Sequence, residues 1–221
     1  MFVLVLGFDT ATPAVTVAVH DGERVLAEST VVDARRHGEL LAPAIRAVLS
    51  EARVSLQDVT AVVAGTGPGP YTGLRVGLMT AQALAGTLGV PAYGVCSLDA
   101  VAYGSGLDEP FLVLTDARRK EVFWARYADR RTRVDGPAVD HPDAVPGELP
   151  VAGAGGHMYA AVLGESRLLP VPEYPSGGAL AALAAERLAA EDPGDVLTQA
   201  RPIYLRRPDA RVPGPPKKVT A

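Results

Sequence analysis

The stretch that most constrains the fold runs from Val62 to Gly77 and reads VVAGTGPGPYTGLRVG. A short apolar run bounded by turn residues is typical of a buried strand, and the glycines and prolines after it form a stiff loop that opens a helix. Backbone N–H groups at a helix N-terminus attract anions, so one interpretation of the loop is a phosphate cradle. A Walker loop needs Gly-Lys-Ser or Gly-Lys-Thr, however, and here Tyr71, Thr72 and Gly73 follow. The sequence therefore favours a rigid turn that sets the direction of the helix.

The order of the patterned segments predicts a mixed sheet. Apolar runs indicate strands, and apolar residues with a period between three and four indicate helices. We predict strands over 2–8, 14–20, 24–32, 59–64 and 90–95, and helices over 36–52, over 72–88, and from an N-cap at Ser97 to about Tyr103. Pro43 requires the first helix to begin late or to bend. Three strands followed by helix, strand, helix, strand and helix is the order of a ribonuclease-H-like lobe.

The second half of the chain repeats this plan in a shorter form. The run 111–115 meets Asp116 as the first strand meets Asp9, and VAGAGG at 151–156 echoes VAGTG at 63–67. Strands predicted over 121–127 and 132–139 stand where the first hairpin stood. The distance between the landmarks is shorter in the repeat, as expected if the counterpart of the first helix is missing.

We therefore predict an α/β protein of two tandem ribonuclease-H-like lobes with mixed sheets. The first lobe covers 1–104 and is completed by a late helix over about 178–191. The second, reduced lobe covers 105–177. The prolines from residue 206 onward predict a disordered tail over 206–221.

Composition and charge exclude several classes of function. A formal net charge of −4 argues against binding nucleic acid or an anionic membrane through the overall field. The single cysteine, Cys96, and four histidines that are never three to five residues apart provide no ligand set for a metal or for a metallopeptidase-like activity. The apolar start is too short for a signal or a membrane span, and we expect a cytoplasmic protein.

Five motifs together carry a family resemblance. They are Asp9-Thr10-Ala11-Thr12, His37, the loop 65–78, the stretch 94–98 (GVCSL) and the stretch 201–206 (RPIYLR). Together they resemble the TsaB (YeaZ-like) family, which belongs to the actin, Hsp70 and sugar-kinase (ASKHA) superfamily. The resemblance implies a non-catalytic subunit of the complex that makes N6-threonylcarbamoyladenosine at position 37 of tRNA. It also implies pairing with and activation of a catalytic TsaD-like subunit, a TsaE-like ATPase subunit that joins the pair, and contact with tRNA only through the complex.

Asp9 and Asp116 end corresponding strands, so in this fold they would face each other across a cleft, as carboxylates do in ATP-using relatives. The alternative function is therefore a nucleotide-dependent kinase or phosphohydrolase that uses both carboxylates with magnesium. Ala117 and Arg118 stand where such relatives have a glycine, which favours a vestigial cleft with no cofactor and at most weak ATP or ADP binding. The predicted cleft residues are Asp9, Thr10, Gly65, Gly67, Asp116, Gly153 and Gly155.

The second predicted helix has a small residue at every fourth position from Gly73 to Gly89. Such a stripe lets another helix come close, and packing against the chain's own first helix is the alternative. The resemblance implies that the first two helices form a bundle shared with the TsaD-like subunit. We therefore predict an apolar partner surface, which could also form a homodimer when the TsaD-like subunit is absent. It consists of Leu40, Leu41, Ala44, Leu74, Gly77, Leu78 and Ala81.

Two further patterns have ordinary explanations. His37, Ser97 and Asp99 could form a hydrolase triad, but no Gly-x-Ser-x-Gly elbow is present, and Ser97 is better explained as a helix cap. The segment 118–133 contains seven basic and two acidic residues with aromatic residues between them, which would suit contact with tRNA phosphates. A solvated face on an alternating strand is the commoner origin of such a pattern, and we prefer it.

Overall fold

A computed structural model describes residues 3–190 and 196–206 of the chain. Its strands are β1 (Val5–Asp9), β2 (Ala14–His20), β3 (Val25–Val32), β4 (Ala61–Gly65), β5 (Ala92–Val95), β6 (Phe111–Asp116), β7 (Val122–Asp129), β8 (Thr132–Asp140), β9 (Val151–Ala152) and β10 (Thr198–Gln199). Its helices are α1 (His37–Ala52), α2 (Tyr71–Leu88), α3 (Ser97–Ser105), α4 (Ala154–Met158), α5 (Ala160–Leu163) and α6 (Gly177–Ala189). Within these described ranges, none of the helices is long and apolar enough to cross a membrane.

The first sheet contains six strands in the order β10-β5-β4-β1-β2-β3. β1 lies antiparallel to β2, with Val5 opposite His20, and parallel to β4, with Phe8 opposite Ala64. β5 continues the parallel part of the sheet, and β10 closes that edge in the antiparallel direction. This mixed order, with helices between the parallel strands, is the ribonuclease-H-like arrangement. The predicted fold class is confirmed.

β1 is buried on both faces because helices cover each side of the sheet. Leu6 and Phe8 belong to a core shared with α1 and α2, whereas Val5 belongs to a second core shared with α3 and α6. α6 lies very close to the strand at Gly7, where an added Cβ would be 2.8 Å from the Cβ of Ala181. A strand that is apolar throughout, without alternation, follows from this burial on both faces.

The second sheet contains four strands in the order β8-β7-β6-β9. β6 is antiparallel to β7 and parallel to β9, as β1 is to β2 and β4. Between β8 and β9, a stretch described throughout, the chain makes a 3-10 turn at Pro142–Ala144 and no helix. The second lobe therefore lacks a counterpart of α1. The lobe boundaries at 104 and 177 stay predictions, and residues 191 and 207–221 of the predicted late helix and tail lie outside the described residues.

Three details of the first lobe correct the sequence prediction. α1 does not begin late: it spans His37–Ala52 with Pro43 inside it, and Pro43 is exposed, so water can reach the carbonyl left without an N–H partner. The N-cap of α3 is Cys96 and not Ser97, because the Ser97 hydroxyl is bonded to Asp9. β4 and β5 begin two residues later than predicted, and a 3-10 turn precedes β4.

Residues 196–206, which we call the C-terminal strap, contact both lobes. β10 extends the first sheet beside β5. The Ile203 N–H then donates to the Thr66 carbonyl at 2.8 Å, in the glycine loop of the first lobe. Arg206 reaches the second lobe, where its Nη1 donates to the Ala117 carbonyl at 2.8 Å. The strap thus ties the β4–α2 loop to the β6–β7 turn.

Candidate functional site

The carboxylate of Asp9 is the centre of a buried hydrogen-bond network at the end of β1. Its Oδ1 accepts from the Ala11 N–H at 2.7 Å, and its Oδ2 accepts from the Ser97 hydroxyl. The Ser97 oxygen in turn accepts from the Gly67 N–H at 3.1 Å. Asp9 is 1% exposed, and this burial raises its pKa to about 6 although the hydrogen bond from Ser97 opposes the shift. The network joins β1, the glycine loop and α3.

The glycines of the loop make room for this network and for the turn after β1. An added Cβ at Gly65 would overlap the Asp9 carboxylate and lie 2.9 Å from Ser97 Oγ. At Gly69 it would lie 2.8 Å from the Ala11 carbonyl carbon. The chain's own turn therefore makes the close approach that glycine permits, and it occupies the space that a phosphate would need. This geometry supports the rigid-turn interpretation of the loop.

The second lobe places Asp116 in a different setting. Asp116 is half-buried, its Oδ1 accepts from the Arg118 N–H at 2.8 Å, and its Oδ2 lies 3.4 Å from Arg118 Nη1. Because Asp9 is sealed in the interior, the two carboxylates do not face each other across an open cleft, which corrects that prediction. An added Cβ at Gly153 or Gly155 would lie 3.3 or 2.8 Å from the Leu114 carbonyl carbon, so these glycines accommodate β6.

The predicted partner surface lies mostly inside the chain. Six of its seven residues are buried, and only Leu40 is half-buried. The buried residues are Leu41, Ala44, Leu74, Gly77, Leu78 and Ala81. An added Cβ at Gly77 would lie 2.6 Å from Thr10 Oγ1, which donates to the Gly73 carbonyl at 2.7 Å and accepts from the Gly77 N–H at 3.0 Å. The small residues therefore bring α2 against the turn after β1, and the six buried positions are corrected to core positions.

The outer sides of α1 and α2 carry a set of residues of which the sequence reasoning predicted only Leu40. All of them are apolar and either exposed or half-buried. We call this set the outer helix surface, and it consists of Leu40, Pro43, Ala47, Val76, Met79 and Ala83. Met79 is the most exposed large apolar side chain of the two helices, at 61%. Once the small stripe is assigned to the interior, the helical period places Met79 and Ala83 outward.

His37, Ser97 and Asp99, the hydrolase triad that the sequence analysis disfavoured, have separate hydrogen-bond partners. His37 Nε2 lies 2.7 Å from the Thr12 carbonyl oxygen. The Ser97 hydroxyl donates to the Asp9 carboxylate. The Tyr127 hydroxyl donates to Asp99 at 2.7 Å. Asp99 is buried, and this burial raises its pKa. No triad is therefore assembled. Among residues 3–190 and 196–206, no group of three His, Cys, Asp or Glu side chains could hold a metal ion.

Basic side chains of the segment 118–133 are engaged within the protein. Arg131 Nε lies 2.7 Å from Oε1 of Glu186 on α6, and Arg130 Nη1 lies 3.2 Å from Asp108 Oδ1. These pairs connect the β7–β8 turn with α6 and with the loop between α3 and β6. They favour the structural interpretation of the basic segment, and contact with tRNA stays a prediction.

Two mixed sheets, each opened by an antiparallel strand pair and followed by a parallel strand and a glycine turn, define a two-lobed α/β protein of the actin, Hsp70 and sugar-kinase class. A family model described as TsaD, tRNA N6-adenosine threonylcarbamoyltransferase, matches residues 24–165. The chain belongs to this family.

Known relatives and solved structures agree with this assignment. A Mycobacterium tuberculosis protein described as uncharacterized is 48% identical over 94% of this chain and 93% of its own length. The Escherichia coli tRNA threonylcarbamoyladenosine biosynthesis protein TsaB is 36% identical over 56% of this chain and 54% of its own length. The structure of YeaZ from Pseudomonas aeruginosa has a TM-score of 0.73 at 28% identity, covering 92% of this chain and 100% of that chain. The predicted resemblance to the TsaB (YeaZ-like) family is confirmed.

Proposed function

We propose that this chain is a non-catalytic subunit of the complex that makes N6-threonylcarbamoyladenosine at position 37 of tRNA. In that complex it pairs with a TsaD-like catalytic subunit and activates it. The observation that carries the proposal is the filled site at the end of β1, where Asp9 lies against Gly65 and is bonded to Ser97. A carboxylate that assists phosphate chemistry must face its substrate, and this one faces the protein interior. Family membership and the names of the relatives support the biological setting.

The outer helix surface is the proposed contact with the catalytic subunit. Burying one methionine side chain of this kind stabilises a contact by about 1.5–3 kcal/mol, and Met79 is 61% exposed in the isolated chain. The glycines beneath have an indirect role, because the close packing of Gly77 on Thr10 fixes the position of α2. A TsaE-like ATPase joins the pair, tRNA binds to the whole complex, and the same surface forms a homodimer when the partner is absent.

Replacing Met79 with glutamate tests this contact. A carboxylate without a partner in an apolar contact costs about 2 kcal/mol or more, so we expect affinity for the TsaD-like subunit to fall about thirtyfold or more. The control is Met158→Glu on α4, which changes the same side chain at a similar exposure of 56%. Titration calorimetry on the purified pair measures both. Equal affinities for the two variants and the unmodified chain would place the contact elsewhere.

The functional part of the proposal is tested by complementation. In cells that lack their own dimerisation subunit, this gene should restore the modified base, Met158→Glu should also restore it, and Met79→Glu should fail. Mass spectrometry of digested tRNA measures the base. The isolated chain should neither bind Mg-ATP at micromolar concentration nor hydrolyse it. Binding with turnover by the chain alone would support the kinase or phosphohydrolase alternative.

A further inference from the structure

Two exposed tyrosines stack where the C-terminal strap meets the beginning of α2. Tyr71 is the first residue of α2, and Tyr204 belongs to the strap. Their ring centroids are 5.7 Å apart and the ring planes differ by 24°. The two side chains nevertheless stay 52% and 47% exposed, so the stack leaves about half of each to water. Aromatic side chains are enriched in protein contacts relative to the rest of a protein surface, so this pair suits a further contact.

The tyrosine pair is continuous with the outer helix surface along α2. Tyr71, Arg75 and Met79 are four residues apart, so their side chains follow one side of the helix. The guanidinium carbon of Arg75 lies 4.3 Å from the centroid of the Tyr71 ring, and the Arg75 side chain is also hydrogen-bonded to that of Tyr204. The other exposed large apolar side chains of the described residues lie on β3, β8, α4 and α5. The exposed apolar area of α2 therefore continues onto the strap.

The outer helix surface alone is small for a stable contact. A specific protein–protein contact uses about 20–30 residues of each partner and buries about 800 Å² on each. The outer helix surface has six residues, and four of them are alanine, proline or valine. A contact centred on Met79 must therefore extend beyond this set. On the side of α2 that faces the strap, the next large side chains are those of Arg75, Tyr71 and Tyr204.

The charge of this side of α2 limits the chemistry of a partner. Between residues 71 and 88, α2 has one basic residue, Arg75, and no acidic residue. A partner that covers Tyr71 would also shield the Arg75 guanidinium from water. Because a shielded charge is costly unless it is paired, such a partner needs a carboxylate opposite Arg75. The surface fits an apolar face with an acidic side chain at one end.

We propose that the C-terminal strap takes part in the contact with the TsaD-like subunit, with Tyr71 and Tyr204 as aromatic anchors and Arg75 opposite a carboxylate of that subunit. The inference rests on the proposed function, because it extends the same contact from α2 onto the strap. Tyr204 lies two residues before Arg206, whose Nη1 donates to the Ala117 carbonyl of the second lobe. Binding at α2 thus also restrains the segment that connects the two lobes.

Hydroxyl-radical footprinting with mass spectrometry tests the inference on the unmodified chain, alone and bound to the purified TsaD-like subunit. In the isolated chain, Tyr71, Tyr204, Met79 and Met158 should all be oxidised, since about half or more of each side chain is exposed. A contact excludes water from the side chains that it covers, so in the complex we expect oxidation of both tyrosines and Met79 to fall about fivefold or more. Met158 is the control and should stay reactive.

The footprint separates this inference from the proposed function. Protection of Met79 without protection of Tyr204 overturns the role of the strap and leaves the contact through the outer helix surface standing. If Met79 also stays reactive in the complex, both proposals fail.

Affinities measured by calorimetry provide a second readout. Tyr204→Ala should weaken the complex about tenfold or more, whereas Tyr204→Phe, which keeps the ring, should stay within about threefold of the unmodified chain. Arg201→Ala removes another exposed side chain of the strap and is the matched control, with unchanged affinity expected. Arg75→Gln should weaken binding and make it less dependent on salt, because it removes one charge of an ion pair. Full affinity of a folded Tyr204→Ala chain would contradict the proposal.

Discussion

Replacing Gly65 with alanine tests whether the glycine loop is filled by the chain itself. The new methyl group would overlap the Asp9 carboxylate and lie 2.9 Å from Ser97 Oγ, so the carboxylate must move. Overpacking of this kind costs about 1–3 kcal/mol. Losing a hydrogen bond to a charged group costs about 1.5–3 kcal/mol more. We therefore expect the free energy of unfolding to fall by about 3–5 kcal/mol, a large part of the roughly 5–15 kcal/mol of a typical domain.

Urea denaturation followed by circular dichroism measures this loss. The matched control is Gly86→Ala in α2, where Gly86 is exposed and an added Cβ meets nothing within 4 Å. That change should raise stability by about 0.5–1 kcal/mol, since alanine is the better helix former. If the loop were instead an open phosphate-binding site, Gly65→Ala would also have little effect on the free energy of unfolding. A loss below about 1 kcal/mol would therefore refute the conclusion that Asp9 fills the space at Gly65.

A double-mutant cycle tests whether Asp9 is the group that the new methyl group at residue 65 would overlap. In the background of Asp9→Ala, the atoms that the Gly65→Ala methyl group would overlap are gone, so its cost should drop by about 2 kcal/mol. A coupling free energy near zero would show that the cost of Gly65→Ala arises elsewhere in the loop.

Two other predictions follow from buried ionisable groups. Asp9 has a pKa of about 6 in the folded chain and near 4 when unfolded, so the folded state binds more protons in between. The free energy of unfolding should therefore fall by up to about 3 kcal/mol as the pH rises from about 4 to about 6. Asp9→Asn should remove most of this pH dependence, as measured by urea titrations at several pH values. An unchanged pH dependence would contradict the burial of Asp9 as its cause. Burial also raises the pKa of the Cys96 thiol to about 12. Iodoacetamide at about pH 8 should then leave the native chain unmodified by mass spectrometry and alkylate it in urea, and rapid alkylation of the native chain would show that the thiol is accessible.

The order of the elements could be predicted from the sequence because the pattern of apolar residues in a strand or helix reflects which of its faces are buried. β1 is covered on both faces and is apolar throughout, and α1 is covered on one side and shows the helical period. Element ends were harder to predict. Ser97 suits the N-cap of a helix as well as it suits a carboxylate partner, and only the fold brings Asp9 within its reach.

The candidate site was less predictable because a glycine in the sequence can indicate that a Cβ would not fit, but it does not identify the neighbouring atom that occupies the space. Gly65 and Gly77 would suit a phosphate, a partner helix or the chain's own turn. The fold places Asp9 beside the first and Thr10 beside the second. The exposed position of Met79 follows only once the inward side of α2 is known, so the outer helix surface could not be recognised before the fold.

α6 follows the second sheet in the chain but covers the first, where Gly7 lies against Ala181. A ribosome delivers the chain from its N-terminus, so β1 emerges long before the helix that shields one of its faces. The core around Leu112 and Trp124, by contrast, draws only on residues between 112 and 168. We expect the lobe that is synthesised later to complete this core first. Until Gly177–Ala189 has left the ribosome, the first lobe lacks α6, and the face of its sheet that α6 covers is open to water.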